Sequence, residues 1–148
     1  MYSISEVSKM FNLSVPTLRY YDKEGIIHGI ERDASGIRIF TEDAIGSLKM
    51  IECLKKSGLS IKDIKKYMDW IDEGDSTLEK RKQLFEDQRK VVLQEMQELQ
   101  KVLNTLDYKC WYYDQAIEKE DEGYVQALSF EQLPPQIQQY YQHSHEDC

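Results

Sequence analysis

Cysteine is scarce in this chain of 148 residues, and the three present, at 53, 110 and 148, are too dispersed for a disulfide framework. No apolar run approaches the roughly 20 residues of a membrane span, and the N-terminus has no signal-peptide core. No glycine-rich phosphate loop occurs. The histidines stand at 28, 143 and 145 with no activating partner in the pattern, so the converging groups of an enzyme are missing. The expectation is a cytoplasmic chain that catalyses nothing, needs no cofactor and has no dedicated metal site. Positive charge is also in deficit, with a net charge of −8 and a pI of about 4.9.

That deficit is unevenly shared. Residues 1–70 hold 11 Lys/Arg against 10 Asp/Glu, a balance of +1, whereas residues 71–148 hold 8 against 17, a balance of −9. The first half can therefore present a basic face to DNA even though the whole chain is acidic.

In that half, Ser3 with Ile4, Val7 and Phe11 predicts a short capped helix, followed by a turn at Asn12-Leu13. Ser14 caps a second helix, with Pro16 tolerated in its first turn. Thr17, Arg19, Tyr20 and Tyr21 then supply hydroxyls and a guanidinium suited to phosphates or base edges. This is a helix-turn-helix whose second helix is dressed for the major groove. The apolar run 26–30 and the run Ile37-Arg38-Ile39-Phe40, around Asp33-Ala34-Ser35-Gly36, predict a hairpin wing. Arg38 alternates with its apolar neighbours, as a phosphate contact should. Thr41 caps a third helix that Gly58 stops, and Ser60 caps a fourth from Ile61 to about Trp70. Lys55, Lys56 and the helix start at Ser60 make a second basic corner. Residues 72–75 predict a short linker.

From Leu78 the period becomes seven. Leu78, Phe85, Val92, Leu99, Leu106 and Tyr113 form one seam, and Met96, Leu103, Cys110 and Ile117 a second, with Lys82 and Arg89 weakening its start. A helix of some 40 residues, about 60 Å long, cannot bury such a seam alone, and no second heptad run exists in the chain. The economical partner is another copy, so Val92, Met96, Leu99, Leu103, Leu106, Cys110 and Tyr113 are expected at a homodimer interface. The fold class is mostly α. Residues 1–73 form a winged helix-turn-helix domain, 77–118 a coiled-coil dimerisation helix, and 119–148 a partly flexible C-terminal segment.

The order of these parts resembles the MerR family of bacterial transcription regulators. The resemblance is carried by Ile4-Ser5-Glu6-Val7, by residues 14–22, by Glu24-Gly25-Ile26-Ile27, by residues 36–40, and by Cys53-Leu54 through Lys66. It covers most of residues 2–70. It implies a dimer on double-stranded promoter DNA that bends and untwists an overlong spacer when an effector binds, realigning it for RNA polymerase. It further implies that Thr17, Arg19, Tyr20, Tyr21, Arg38, Lys56 and Ser60 contact DNA. Ile37 departs from the aromatic that many members carry before the wing arginine.

Three places suit an effector. Cys53 shares a helix face with Lys49 and Lys56, whose charges favour its thiolate. Its surroundings also look like a subgroup that answers aldehydes or nitrosothiols through one cysteine, although a small inert cysteine fits the position equally. The rings Trp111, Tyr112, Tyr113, Tyr124, Phe130, Tyr140 and Tyr141 suit either a flat drug-like ligand, as in multidrug-responsive members, or packing of the C-terminal segment. The tail His143-Ser144-His145-Glu146-Asp147-Cys148 holds metal-ligand types at workable spacing. An architectural DNA binder without an effector is the remaining alternative.

Overall fold

A computed structural model describes residues 1–146, with side chains through Ser144. It divides into two compact units, Met1–Arg89 and the chain from Lys90 onward. Among the described residues no helix is long and apolar enough to cross a membrane.

The first unit opens with α1 (Ile4–Phe11) and α2 (Val15–Glu24). Ser3 and Glu6 cap α1 reciprocally, each side chain accepting the other's backbone N–H at 3.2 Å. Asn12 then takes the left-handed conformation, a site that asparagine tolerates, and the chain turns directly into the Ser14 cap. The wing is the antiparallel pair β1 (Ile30–Arg32) and β2 (Arg38–Phe40), registered Ile30↔Phe40, Glu31↔Ile39 and Arg32↔Arg38. Tyr2 adds a single bridge to Phe40, exchanging both backbone bonds with it at 2.9 and 2.8 Å. Next come α3 (Glu42–Lys56), capped by Thr41, and α4 (Ile61–Glu73), capped by Ser60. Val7, Leu18, Tyr21, Ile26, Phe40, Leu48, Ile51 and Ile64 fill the core between them.

Three local expectations are corrected here. Ile26 and Ile27 do not form a strand; they are core residues, and the ladder begins only at Ile30. Helix α4 runs three residues beyond Trp70. Residues 72–75 are a packed corner rather than a linker: Gly74 reverses the chain with φ +89° and a 3-10 turn at Asp75–Thr77 leads into α5 (Leu78–Lys119). The Thr77 side chain is buried there. Its hydroxyl faces the carbonyls of Trp70 and Gly74 at 2.6 and 2.8 Å and accepts from Arg81 Nε at 3.0 Å. Arg81 Nη2 donates to Gly74 O at 2.7 Å, so one arginine and one threonine close the carbonyl end of α4.

The compact unit also reaches past residue 73, because the first turns of α5 belong to it. Phe85 meets Tyr67 edge to face at 5.1 Å, Leu84 packs on the core, and Gln88 Nε2 donates to Ser57 O at 2.8 Å. Phe85, the second position of the heptad pattern, thus packs on its own unit while staying 38% exposed.

In the second unit the rest of α5 is joined by α6 (Glu122–Gln126), a 3-10 turn at Phe130–Gln132 and α7 (Pro135–Glu146). The C-terminal segment is helical as far as it is described. Val125, Leu133 and Ile137 are buried. Tyr108 of α5 meets Tyr141 of α7 at 5.3 Å, and Phe130 lies 5.7 Å from Tyr141. Asn104 is buried, accepts from Gln100 Nε2 at 2.8 Å through its carbonyl and pairs its amide nitrogen with His143 Nδ1. That bond satisfies a polar group that burial would otherwise penalise.

Candidate nucleic-acid interface

Helix α2 carries the groups aimed at DNA, and its N-terminus is built by short-range chemistry. Ser14 Oγ accepts from Thr17 N at 3.2 Å and lies 2.7 Å from Thr17 Oγ1, so both hydroxyls are ordered at the helix entrance. Leu18 is fully buried, which turns the opposite side of the helix outward. Arg19 and Tyr20 emerge there, Tyr20 being 48% exposed. Nothing within the unit claims the Arg19 guanidinium among the described residues. A free guanidinium and a phenol beside two ordered hydroxyls are what a groove edge or phosphate requires.

Tyr21 does not belong with them. It is 2% exposed, and its hydroxyl accepts from Lys55 Nζ at 2.6 Å. The sequence pattern placed Tyr20 and Tyr21 together, but successive helical residues diverge by about 100°, so one faces solvent and the other the core. Lys55, also expected at the phosphate, is partly drawn toward Tyr21. Its ammonium donates to Tyr21, sits 5.4 Å from that ring's centre and pairs with Glu52 at 3.4 Å. The Tyr21 hydrogen bond raises the Lys55 pKa above its ordinary 10.5, against the lowering effect of burial, and Glu52 adds to the rise. Lys55 thus ties the end of α3 to α2, and the exposed Lys56 stands at the end of that same helix. Ser60 is exposed but its Oγ accepts from Asp63 N at 3.1 Å, so one donor of that helix start is already used.

On the wing, Arg38 points at Asp22 of α2 rather than straight into solvent. Its Nε donates to Asp22 Oδ2 at 2.7 Å. Arg32, opposite Arg38 in the hairpin, approaches the same oxygen at 3.7 Å and donates from Nη1 to Gly36 O at 2.7 Å. Sequence reasoning missed Asp22 and Arg32. The signal was available in the register, because a strand that reaches residue 32 sets two arginines face to face. Ile37 is 60% exposed beside them.

Cys53 is exposed, as are Lys49 and Lys56, and its carbonyl accepts from Ser57 Oγ at 3.3 Å. In the second unit, Val92, Met96, Leu99, Leu103, Leu106 and Tyr113 are between 37% and 67% exposed, and Cys110 is exposed with them. Val91, Leu93 and Val102, outside the seam, are exposed along the same helix as well. Tyr108 and Tyr141 draw the C-terminal aromatics together, with Trp111 and Tyr112 each a little over 6 Å from Tyr108. Of the metal-ligand types in the tail, His143 is engaged by Asn104. The side chains of His145 and Glu146, with Asp147 and Cys148, lie outside the described residues.

This arrangement recurs in known proteins. Residues 2–70 match the MerR helix-turn-helix regulatory protein family, and residues 45–108 match a MerR DNA-binding family. An uncharacterized HTH-type transcriptional regulator of Haemophilus influenzae is 38% identical over 133 residues, spanning 90% of this chain and 96% of its own. The regulator AdhR of Bacillus subtilis is 38% identical over 92 residues, 62% of this chain and 66% of its own. Among solved structures, HiNmlR, a MerR family regulator lacking the sensor domain and bound to promoter DNA, superposes with a TM-score of 0.63. It is 37% identical and covers 86% of this chain and 98% of its own. A capped recognition helix, an arginine-bearing wing, a second helix pair and a long helix with an open seam, in that order and at that similarity, place the chain in the MerR family of helix-turn-helix transcription regulators.

Proposed function

We propose that this DNA-binding transcription regulator works in the cytoplasm as a homodimer that grips a promoter spacer and distorts it in response to an effector. The exposed face of α2, where Arg19 and Tyr20 stand beside the ordered Ser14 and Thr17 hydroxyls, carries the reading. Arg38 and Lys56 supply further cations for the backbone, and the open seam of α5 supports pairing of two copies. Two half-sites gripped at once give the leverage to deform the DNA between them, at a cost of about 1–6 kcal/mol for a 20–30 bp site. RNA polymerase then meets the protein's effect through the altered promoter.

For the effector, Cys53 is the favoured contact. It is an exposed thiol on a helix surface that also bears Lys49 and Lys56. The aromatic alternative is weaker, because Tyr108, Phe130 and Tyr141 already pack on one another.

The test begins with selection of bound duplexes from a randomised pool by the full-length protein. A two-fold related consensus is expected, with affinity falling steeply as salt rises. Arg19→Ala should weaken binding to that duplex by about 1–3 kcal/mol while the fold is kept. Failure to enrich any sequence would overturn the reading. An enriched site whose transcription ignores electrophiles, aromatic cations and metals alike would leave an architectural DNA binder.

A further inference from the structure

Among the described residues, Asp22 is the one acidic group that bonds the wing arginines from the recognition helix, and its position answers a problem in the hairpin. The register sets Arg32 directly opposite Arg38. Like charges at such a pair are destabilising, and at the end of a three-residue strand there is little ladder to resist them. The carboxylate of Asp22 reaches both, taking Arg38 Nε at 2.7 Å and standing 3.7 Å from Arg32 Nη2. Arg32 is in turn fixed to the turn by its bond to Gly36 O. Arg38 and Asp22 are each only about one-fifth exposed, so their contact is sheltered from solvent, whereas Arg32 is half exposed.

The manner of contact matters. Asp22 takes Arg38 by Nε alone. The two terminal amino groups of Arg38 have no hydrogen-bond partner among the described residues. A guanidinium offers five N–H donors in a rigid plane, so fixing Nε fixes the direction of the others. We infer that Asp22 is a positioning residue for DNA binding: it orients Arg38 so that the free edge of the Arg38 guanidinium is presented to a backbone phosphate. This rests on the DNA-binding reading above and assigns to an acid a favourable part in gripping an anion. Simple electrostatics says the opposite, since a carboxylate near DNA repels it. The two accounts therefore differ in sign.

The experiment uses the full-length protein and the duplex selected by the wild type, with affinity measured over a series of salt concentrations. Asp22→Ala should weaken binding about tenfold, the scale of one charged contact, although it adds a positive charge to each protomer. The slope of log K against log salt should fall by about 0.9 per protomer, the loss of one phosphate contact. In an Arg38→Ala background, Asp22→Ala should change neither quantity, because the group it orients is gone. Glu24→Gln removes a neighbouring acid that holds no arginine, and should leave binding unchanged or tighter. Asp22→Asn keeps an acceptor for Nε and guards against a folding defect in the alanine variant. It should weaken binding less than Asp22→Ala, in the same direction and only when Arg38 is present. Tighter binding by Asp22→Ala or Asp22→Asn, or effects that simply add to those of Arg38→Ala, would overturn the inference while leaving the DNA-binding reading intact. A wild-type protein that selects no duplex would instead bring down that reading itself.

Discussion

Replacing Thr77 by valine removes a single hydroxyl from a buried corner and keeps the side-chain shape. The hydroxyl has one proton to share between the Trp70 and Gly74 carbonyls and one acceptor role toward Arg81 Nε. The valine therefore costs one neutral hydrogen bond of about 1 kcal/mol and one charge-assisted bond of about 1.5–3 kcal/mol. Arg81 Nη2 still holds Gly74 O at 2.7 Å, and Arg81 is not fully buried, so part of the second term is recovered by water. The expected loss is about 2–3 kcal/mol. Urea unfolding of the N-terminal unit, followed at one protein concentration, should show the midpoint falling by roughly 0.7–3 M at unchanged slope, given typical slopes of about 1–3 kcal/mol/M. A loss under about 0.5 kcal/mol, the range of an indifferent surface change, would refute the claim that this hydroxyl closes α4.

Other consequences are equally direct. Leu103→Asp should convert the dimer to a monomer in light scattering, because each copy loses much of a leucine's ~1.5–3 kcal/mol and must bury a carboxylate. An unchanged dimer would move the interface away from the seam. Gly29→Ala should destabilise by well over about 1 kcal/mol, because its Cβ would lie 2.6 Å from Thr41 Oγ1 and 2.7 Å from the Ala44 backbone nitrogen at a φ of +94°. Gly36→Ala, at φ +81° with nothing within 4 Å, is the control that carries backbone strain alone, and thermal melts of the two should differ clearly. In the native dimer, N-ethylmaleimide followed by mass spectrometry should label Cys53 ahead of Cys110 if the proposed seam is the interface. Cys53→Ser should keep DNA binding and lose any transcriptional response to electrophiles.

Where a fold is governed by neighbours in sequence, the sequence spelled it out. The caps at Ser3, Ser14, Thr41 and Ser60 all stand where their side chains predict, since capping involves residues three apart. The seven-residue seam was legible for the same reason. What escaped was settled by distant partners. Tyr21 is separated from Lys55 by 34 positions, and only their meeting shows that the Tyr21 ring faces inward and the Lys55 ammonium leans onto it. Phe85 keeps its heptad place in the sequence yet is claimed by Tyr67. Strand β1, with Glu31 and Arg32 after a single isoleucine, has too little alternation to announce itself. The apolar residues before it advertise a strand but serve the core. Asp22 looked like one more acid on a helix until the register of the wing brought two arginines to it.

Tyr21 and Asp22 are consecutive, so their side chains leave α2 about 100° apart. One is held by Lys55 from the end of α3, the other by Arg38 from the wing. Two struts that meet a rod from different sides stop it from rolling. A recognition helix that cannot roll presents Arg19 and Tyr20 at one fixed azimuth, and discrimination between base pairs requires that fixity more than it requires attraction. Loosening the Lys55 strut should thus blur the choice of sequence before it lowers the hold on DNA in general, whereas loosening the Arg38 strut also gives up a phosphate contact. On that account, fidelity would rest on two side chains that need never touch a base.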